Sequence, residues 1–423
     1  MKNKIKVLDW PVLLAYCFLL LLGTSSCQDK VESTYTYRTQ VPVLRQMSTY
    51  READIIVSPG KTLENPGKIY IFGDYLFINE PDKGIHILDN SSPNNPINVN
   101  FINIPGNVDL AINDNILYAD SYVDLLAFDI SNLRDINLVK RVEDVFTHMF
   151  TDRSTGTFVT YRDTVITTDA PVHQGWGWGR GWGFMTTNAS FDGARAGQSY
   201  GQGGSMARFT LMSGHMYAVD ESSLRVFDVQ AAADPSFVKE ISLGWGIETI
   251  FPFQDKLFIG SNTGMHIYDA KDPSNPKRMS VYQHITACDP VVVNEKHAFV
   301  TLRSGVGCRF GVDELQIIDI VDPYNPKLVK AYPMSNPHGL ALFGNYLYLA
   351  EGNFGLKSFI VADVLKIDQN QMEFLKSMKS VDIIPGPKTL IVIGPDGVCQ
   401  FDYSNPAKLK KLSCIQVKDP LII

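Results

Sequence analysis

The sequence predicts an all-β fold, a seven-bladed β-propeller of four-stranded antiparallel blades, from three observations. One short string recurs in seven copies, a second string precedes each copy, and no segment sustains a 3.6-residue apolar period with caps. Composition agrees: 45% of the 423 residues are hydrophobic and 20% charged, with 32 Gly, 23 Pro and 11% aromatics. That balance is globular and leans towards strands and turns. A chain of this length would ordinarily divide into two or three domains, and a closed array of repeats is the main exception.

The chain opens with Lys2, Lys4 and Lys6, an uncharged run from Val12 to Leu22, and the small residues Gly23-Thr24-Ser25-Ser26 before Cys27. The apolar run is too short to cross a bilayer as a mature helix and suits a cleaved signal over residues 1–26. A Cys directly after small residues resembles the lipobox of bacterial lipoproteins, although Thr24 stands where that family usually has Leu. The resemblance implies diacylation of Cys27 and a lipid anchor in the cell envelope, at the outer membrane, facing either the periplasm or the outside. Residues 27–64 read as a polar tether and docking segment, with Tyr35 to Leu44 as a strand that docks on the domain.

The clearest copies of the first string are Ile85-His-Ile-Leu-Asp89-Asn-Ser-Ser-Pro93-Asn-Asn-Pro96, Met265–Pro276 and Leu315–Pro326. Weaker copies begin at Leu125, Leu224, Leu356 and Val398. The second string is a Gly/Asn/Asp turn followed by Leu-Tyr or Leu-Phe, as in Gly73-Asp-Tyr-Leu-Phe-Ile and Gly344-Asn-Tyr-Leu-Tyr-Leu. Each unit therefore divides into an inner run, a Leu-Tyr/Phe run, the run ending in Asp, and a run after Asn-Pro. Units of about 40 residues with these turns read as propeller blades. The Asp-Pro-x-Asn-Pro string resembles the LVIVD repeat of exported bacterial and archaeal proteins, and the whole chain resembles LVIVD-repeat lipoproteins of Bacteroidetes-type bacteria. That resemblance implies the propeller over residues 65–418 and the envelope address, and it adds little about activity. An insert interrupts the array at about 148–205, and residues 419–423 form a tail.

Four cysteines lie beyond Cys27, an even number that suits disulfides in an exported chain. Cys288 with Cys308, and Cys399 with Cys414, are the expected bridges, each within one blade.

Standard catalytic signatures are missing: there is no Cys-x-x-Cys, His-Glu-x-x-His or Walker loop. Gly203-Gly-Ser205-Met-Ala207 comes near a nucleophile elbow but lacks the strand-to-helix setting. Aligning the inner runs brings Asp109, Glu248, Asp289, His338 and Asp382 into one column within a residue, a polar ring at one channel mouth. The second-run ends add Glu80, Asp120, Asp220, Arg303 and Glu351. Carboxylates around a narrow opening repel unless a cation offsets them, so a Ca²⁺ or Mg²⁺ ion is one reading and a water-filled polar channel the other. His86 and His266 occupy equivalent third-strand positions and read as surface residues. The insert offers a hairpin (156–161 with 163–167) and the tract Gly175–Phe184, whose Trp176, Trp178 and Trp182 could stack on sugars or peptides. Asp163-Thr164-Val165 resembles the O-glycosylation motif of Bacteroidetes exported proteins. A formal charge of -7 argues against nucleic acid as a partner. Three functions stay open: a binding or scaffold module for a glycan, peptide or envelope protein; a metal-assisted hydrolase or lyase; and a structural adhesion or assembly component.

Overall fold

The computed structural model describes residues 35–146, 156–168, 202–205, 207–283, 290–304 and 312–418. Two compact units are distinguished, one of Met1–Val43 with Thr160–Gly181, the other of Leu44–Val159 with Trp182–Ile423. In the first, the strand Tyr35–Gln46 pairs with the strand Thr157–Thr168. One expectation changes here. The insert's hairpin is one continuous strand, because Tyr161-Arg162-Asp163 supplies no Gly or Pro for a tight turn and the β-branched run carries on. The N-terminal strand takes that insert strand as its partner. Within the second unit, the helix Met47–Arg51 packs on blade 2: Met47 packs against Val123, and Arg51 bonds to the buried Asp124 carboxylate at 2.6 and 2.8 Å.

The second unit is the seven-bladed propeller, each blade built from four consecutive antiparallel strands. The inner strands are Ile69–Phe72, Leu110–Asn113, Phe209–Met212, Ile247–Phe253, Val291–Val293, Leu340–Phe343 and Asp382–Pro385, for blades 1 to 7. Blade 1 gains Val57–Pro59 on its outer edge and Gln202–Gly203 on its inner edge.

The recurring residues have recurring mechanical tasks. The aromatic of the Leu-Tyr/Phe string (Phe77, Tyr118, Tyr217, Phe258, Phe299, Tyr348) is fully buried in six blades, and Ile391 replaces it in blade 7. A ring at that position supplies the bulk that fills the seam between blade faces. The Asp that ends the third strand turns the chain: in six blades its Oδ1 accepts the N–H two residues on, as in Asp89 with Ser91 and Asp319 with Val321, at 2.8–2.9 Å. In every blade the fourth strand then carries a one-residue bulge, at Val99, Val139, Val238, Met279, Val329, Met372 or Leu412. An extra residue there increases the local twist of the outer edge.

Neighbouring blades are also tied by a repeated hydrogen bond. A side chain of each blade donates to the carbonyl four residues after the third-strand end of the next. The pairs are Asn100 to Leu133, Tyr118 to Ala232, Tyr217 to Pro273, Ser280 to Pro323, Tyr332 to Val364, Ser358 to Pro406, and Ser413 to Pro93. The last pair closes the ring. No strand is shared between blades 7 and 1, so side chains hold that seam: Ile384, Ile391, Ile393 and Val398 pack on Ile69, Leu76 and Ile78. Beside them the buried Gln400 and Asn90 amides exchange two hydrogen bonds of 2.6 and 3.0 Å, with Thr389 donating to Gln400.

Cys399 and Cys414 form a disulfide between directly opposed residues of blade 7; Cys27, Cys288 and Cys308 lie outside the described residues. Two outcomes follow from these seams. Gln400→Ala leaves the Asn90 and Thr389 groups buried without partners and should cost about 2–3 kcal/mol in urea unfolding; an unchanged midpoint would remove the amide pair from the closure. A Cys399→Ser/Cys414→Ser variant, or reduction, should lower stability by up to about 3 kcal/mol for a loop of this length. Equal melting of oxidised and reduced protein would contradict it.

Candidate functional site at the channel mouth

The inner strands start, and the second strands end, on one face of the propeller. Strand register places Lys68, Asp109, Arg208, Thr249, Pro290, Gly339 and Asp382 at the equivalent position, immediately outside the first core residue of each inner strand. Glu248 and His338 stand one residue earlier. Asp289, like Trp176, Trp178 and Trp182, lies outside the described residues.

The expected acidic ring is therefore a mixed one, and its carboxylates are held from within the chain. Asp109 Oδ2 meets the buried Lys68 ammonium at 3.1 Å and accepts the Arg208 and Phe209 N–H groups, while Oδ1 accepts the Leu110 N–H at 2.7 Å. Behind it, Asp120 Oδ1 accepts from Val108 N–H, Asp109 N–H and Asn107 Nδ2 at 2.8–2.9 Å. Burial outweighs these bonds and pushes the Asp120 carboxyl up to about 7. Asp382 Oδ1 accepts the Ile383 N–H, and it abuts Gly339 so closely that a Cβ there would lie 2.0 Å from it. Burial, then Arg303, lowers the His338 imidazole to about 3 and keeps it neutral, with no hydrogen-bond partner for Nε2 among the described residues. Burial lowers the Arg303 guanidinium from its ordinary value, and Glu248 and Asp313 oppose that shift.

At the second-strand ends, three carboxylates pair with a base on the third strand of the same blade. Glu80 meets His86 Nε2 at 2.7 Å, Asp220 meets Arg225 at 2.9 and 3.0 Å, and Glu351 meets Lys357 at 2.5 Å. In each case the base faces the residue two before the acid. His86 and His266 are buried, contrary to the surface position expected of them. The reason for His86 is the Glu80 pair, with Asn98 on its other ring nitrogen at 3.0 Å. Burial alone would raise the Glu80 carboxyl, but hydrogen bonds from His86 and Lys83 hold it at about 2.

The end of the insert runs along the inner strands. Gln202 and Gly203 pair with Ile71 and Tyr70 on the open edge of blade 1's inner strand. The fully buried Ser205 accepts the Leu340 N–H of blade 6 at 3.1 Å, and Ala207 O accepts the Ile250 N–H of blade 4 at 2.8 Å. The end of the insert thus bridges three inner strands, and Ser205 is spent on that bridge. Among the described residues no group of three or more His, Cys, Asp and Glu side chains is placed to hold a metal ion. Of the carboxylates on which the Ca²⁺ or Mg²⁺ reading rested, Asp109 is met by Lys68 and backbone donors, whereas Asp289 lies outside the described residues.

Two features escaped the sequence reading. Lys68 and Arg208 fall in the same column and were legible there by register. Trp245 was not: it is 57% exposed on the connection between blades 3 and 4. Beside it, burial pushes the Glu221 carboxyl up to about 7, opposed by Arg208.

A family model for the LVIVD repeat matches residues 66–103, which is blade 1. No curated protein matches the chain. Among solved structures, the computationally designed protein Ika8 aligns with a TM-score of 0.51 at 8% identity, covering 86% of this chain and 94% of its own. A Lactobacillus plantarum protein aligns with a TM-score of 0.51 at 10% identity, covering 84% and 98%. At such identities these likenesses concern fold alone. The chain is a repeat β-propeller that carries an LVIVD repeat.

The Glu80 pair sets a pH dependence of stability. Its carboxyl lies below the ordinary value, so its contribution is complete above about pH 4.5 and is lost as pH falls towards 2. Glu80→Gln should cost about 3 kcal/mol at pH 7, with the gap to wild type narrowing at pH 3.5. A gap independent of pH in denaturant titrations would contradict the ion pair.

Proposed function

We propose that this chain is a lipid-anchored propeller of a bacterial cell envelope that acts as a binding or scaffold module, with the channel mouth as its ligand face. The repeat propeller supports a binding or scaffold module in general. The observation that carries the choice over catalysis is the commitment of the mouth's charged groups to one another: Asp109 to Lys68, Glu80 to His86, Asp220 to Arg225 and Glu351 to Lys357. Acid–base or metal-assisted hydrolysis needs groups that exchange protons or charge with a substrate. Groups already paired provide fixed donors and acceptors for recognition instead. The anchor reading rests on the Lys2–Leu22 leader and Cys27; among the described residues no helix is long and apolar enough to cross a membrane. The glycan, peptide or envelope protein that the face recognises would lie on the membrane side reached by the tether, at the outer membrane.

Two measurements test the reading. Cys27→Ala should move the protein from the membrane to the soluble fraction and abolish palmitate labelling; membrane retention without label would end the anchor proposal. A photo-crosslinker at Phe354, an exposed mouth-face turn, should capture an envelope component, whereas one at Val321 on the opposite face should not. Capture from Val321 alone would place the ligand face elsewhere.

A further inference from the structure

We infer that the outer edge of blade 2, the strand Asn137–Val142, takes up an extended segment of a partner protein by strand addition, with an apolar side chain of that segment in the cleft beside the edge. The fourth strand is the outermost of its blade, so this surface is distinct from the channel mouth and the inference goes beyond the mouth reading.

The chain itself shows that such an edge accepts a strand. Val57–Pro59 lies antiparallel on the outer edge of blade 1, with Val57, Ser58 and Pro59 opposite Ile102, Phe101 and Asn100. The pairing extends on both sides: Asn103 N–H donates to Ile56 O at 2.9 Å, and Gly60 N–H to Val99 O at 3.0 Å. The outer edges of the other blades carry no added strand among the described residues. An uncovered edge offers a row of backbone donors and acceptors, and folds commonly guard it with charge. Lys277 and Arg278 stand there in blade 4, Lys327 in blade 5, Glu373 in blade 6, and Lys410 and Lys411 in blade 7. Register puts Leu138 of blade 2 where blades 4 and 7 have Arg278 and Lys411. Leu138 is 39% exposed, and the adjoining bulge residue Val139 is 42% exposed. The strand's own bases are engaged, Lys140 with Asp234 at 2.6 Å and Arg141 with Asp124 at 3.0 Å. Those two pairs hold the edge in place before anything binds.

Blade 3 presents Phe237 and Val238 in the same way, and blade 2 adds a cleft of about 380 Å³ between its edge and the residues that lead into Val57–Pro59. Ile55, Val57, Phe128, Ile136 and Leu138 give the cleft apolar walls, a seat for a large apolar side chain. Its rim is acidic where it meets solvent. Arg51 and Arg141 both meet the buried Asp124 carboxylate, and Arg51 also reaches Glu143 and Asp144 at 3.0 Å. Glu52 and Asp54, which line the same cleft, are exposed and pair with no base among the described residues. The segment that fits is therefore extended, apolar at the residue that enters the cleft, and basic beside it.

The test titrates the full chain in detergent with end-blocked peptides Arg-Thr-Val-Thr-X-Thr-Val-Thr-Arg, where X is Phe, Leu, Ile or Trp. At least one should bind with a Kd below about 100 μM. Leu138→Lys should weaken it about tenfold or more, and a version with Pro for every Thr should not bind. In the complex, hydrogen exchange of the Asn137–Val142 amides should slow. Glu in place of the terminal Arg residues should weaken binding, and Glu52→Lys/Asp54→Lys should restore it. Leu138→Lys should melt like wild type, since blades 4 and 7 already carry a base at that register. Equal binding by Leu138→Lys, equal binding of the Pro version, slowed exchange confined to another strand, or no binding by any of the peptides would each overturn the inference. None of these results bears on the Phe354 crosslink, so the edge and the mouth face can fail separately.

Discussion

The seam between blades is the interaction on which the rest of this propeller depends. A four-stranded sheet is not stable alone, since both of its faces are apolar; each blade is buried only by its two neighbours. Seven seams must therefore form together, and each uses the same parts: a second-strand aromatic (Ile391 in blade 7), and a side chain donating to the fourth carbonyl beyond a third-strand end. The Asp that ends the third strand bonds to the N–H two residues on and so sets the turn that presents this carbonyl. One polar residue thereby fixes a turn within its own blade and positions an acceptor for the preceding one. Between blades 7 and 1 no shared strand assists among the described residues, and the Gln400–Asn90 amides with their isoleucine layer join the Ser413 bond to Pro93 in the closure.

Closure brings charged residues together at the mouth, where burial makes unpaired charge expensive. The fold answers this locally. Glu80, Asp220 and Glu351 each find a base on the adjacent strand, a partner available wherever the third strand can place His, Arg or Lys two steps back in register. Blade 2 has Ser121 at the acid's position and Leu126 at the base's; its Asp120, one residue earlier, relies on backbone donors and the Asn107 amide, and its carboxyl titrates near neutrality. Along the channel, residues 202–207 add backbone contacts to blades 1, 4 and 6, which leaves the inner strands little freedom to move apart.

What was legible in the sequence was what repeats. Asp89, Asp269 and Asp319, the Asn-Pro turns and the Leu-Tyr/Phe strings gave blade number, strand order and the pairing of Cys399 with Cys414, because each depends on residues close in the chain. The mouth was only half legible. Asp109 and Asp382 share one register position, and Glu248 and His338 stand one residue earlier, within the spread that the column allowed. Lys68 and Arg208 were passed over because attention rested on acids. The Glu80–His86 pair was missed because two residues six apart meet only when the ladder register is known. The segment around Ser205 looked like a damaged catalytic motif. Its role comes from Leu340, which is 135 residues away in sequence.

A mouth built this way constrains where recognition can occur. Its inner ring includes side chains already held within the chain, Asp109 with Lys68 above all, so altering these would disturb a buried pair. The turns and connections above that ring carry no such double duty. Trp245 and Phe354 both stand there, exposed, on segments whose backbones are fixed by hydrogen bonds to neighbouring turns. Rigid support below and unspent aromatic surface above are the conditions under which a loop can bind without paying to become ordered. The same division explains why the seven repeats can be so alike in their strands while the connections differ. The strands answer to the closed ring, whereas most connections lie outside it.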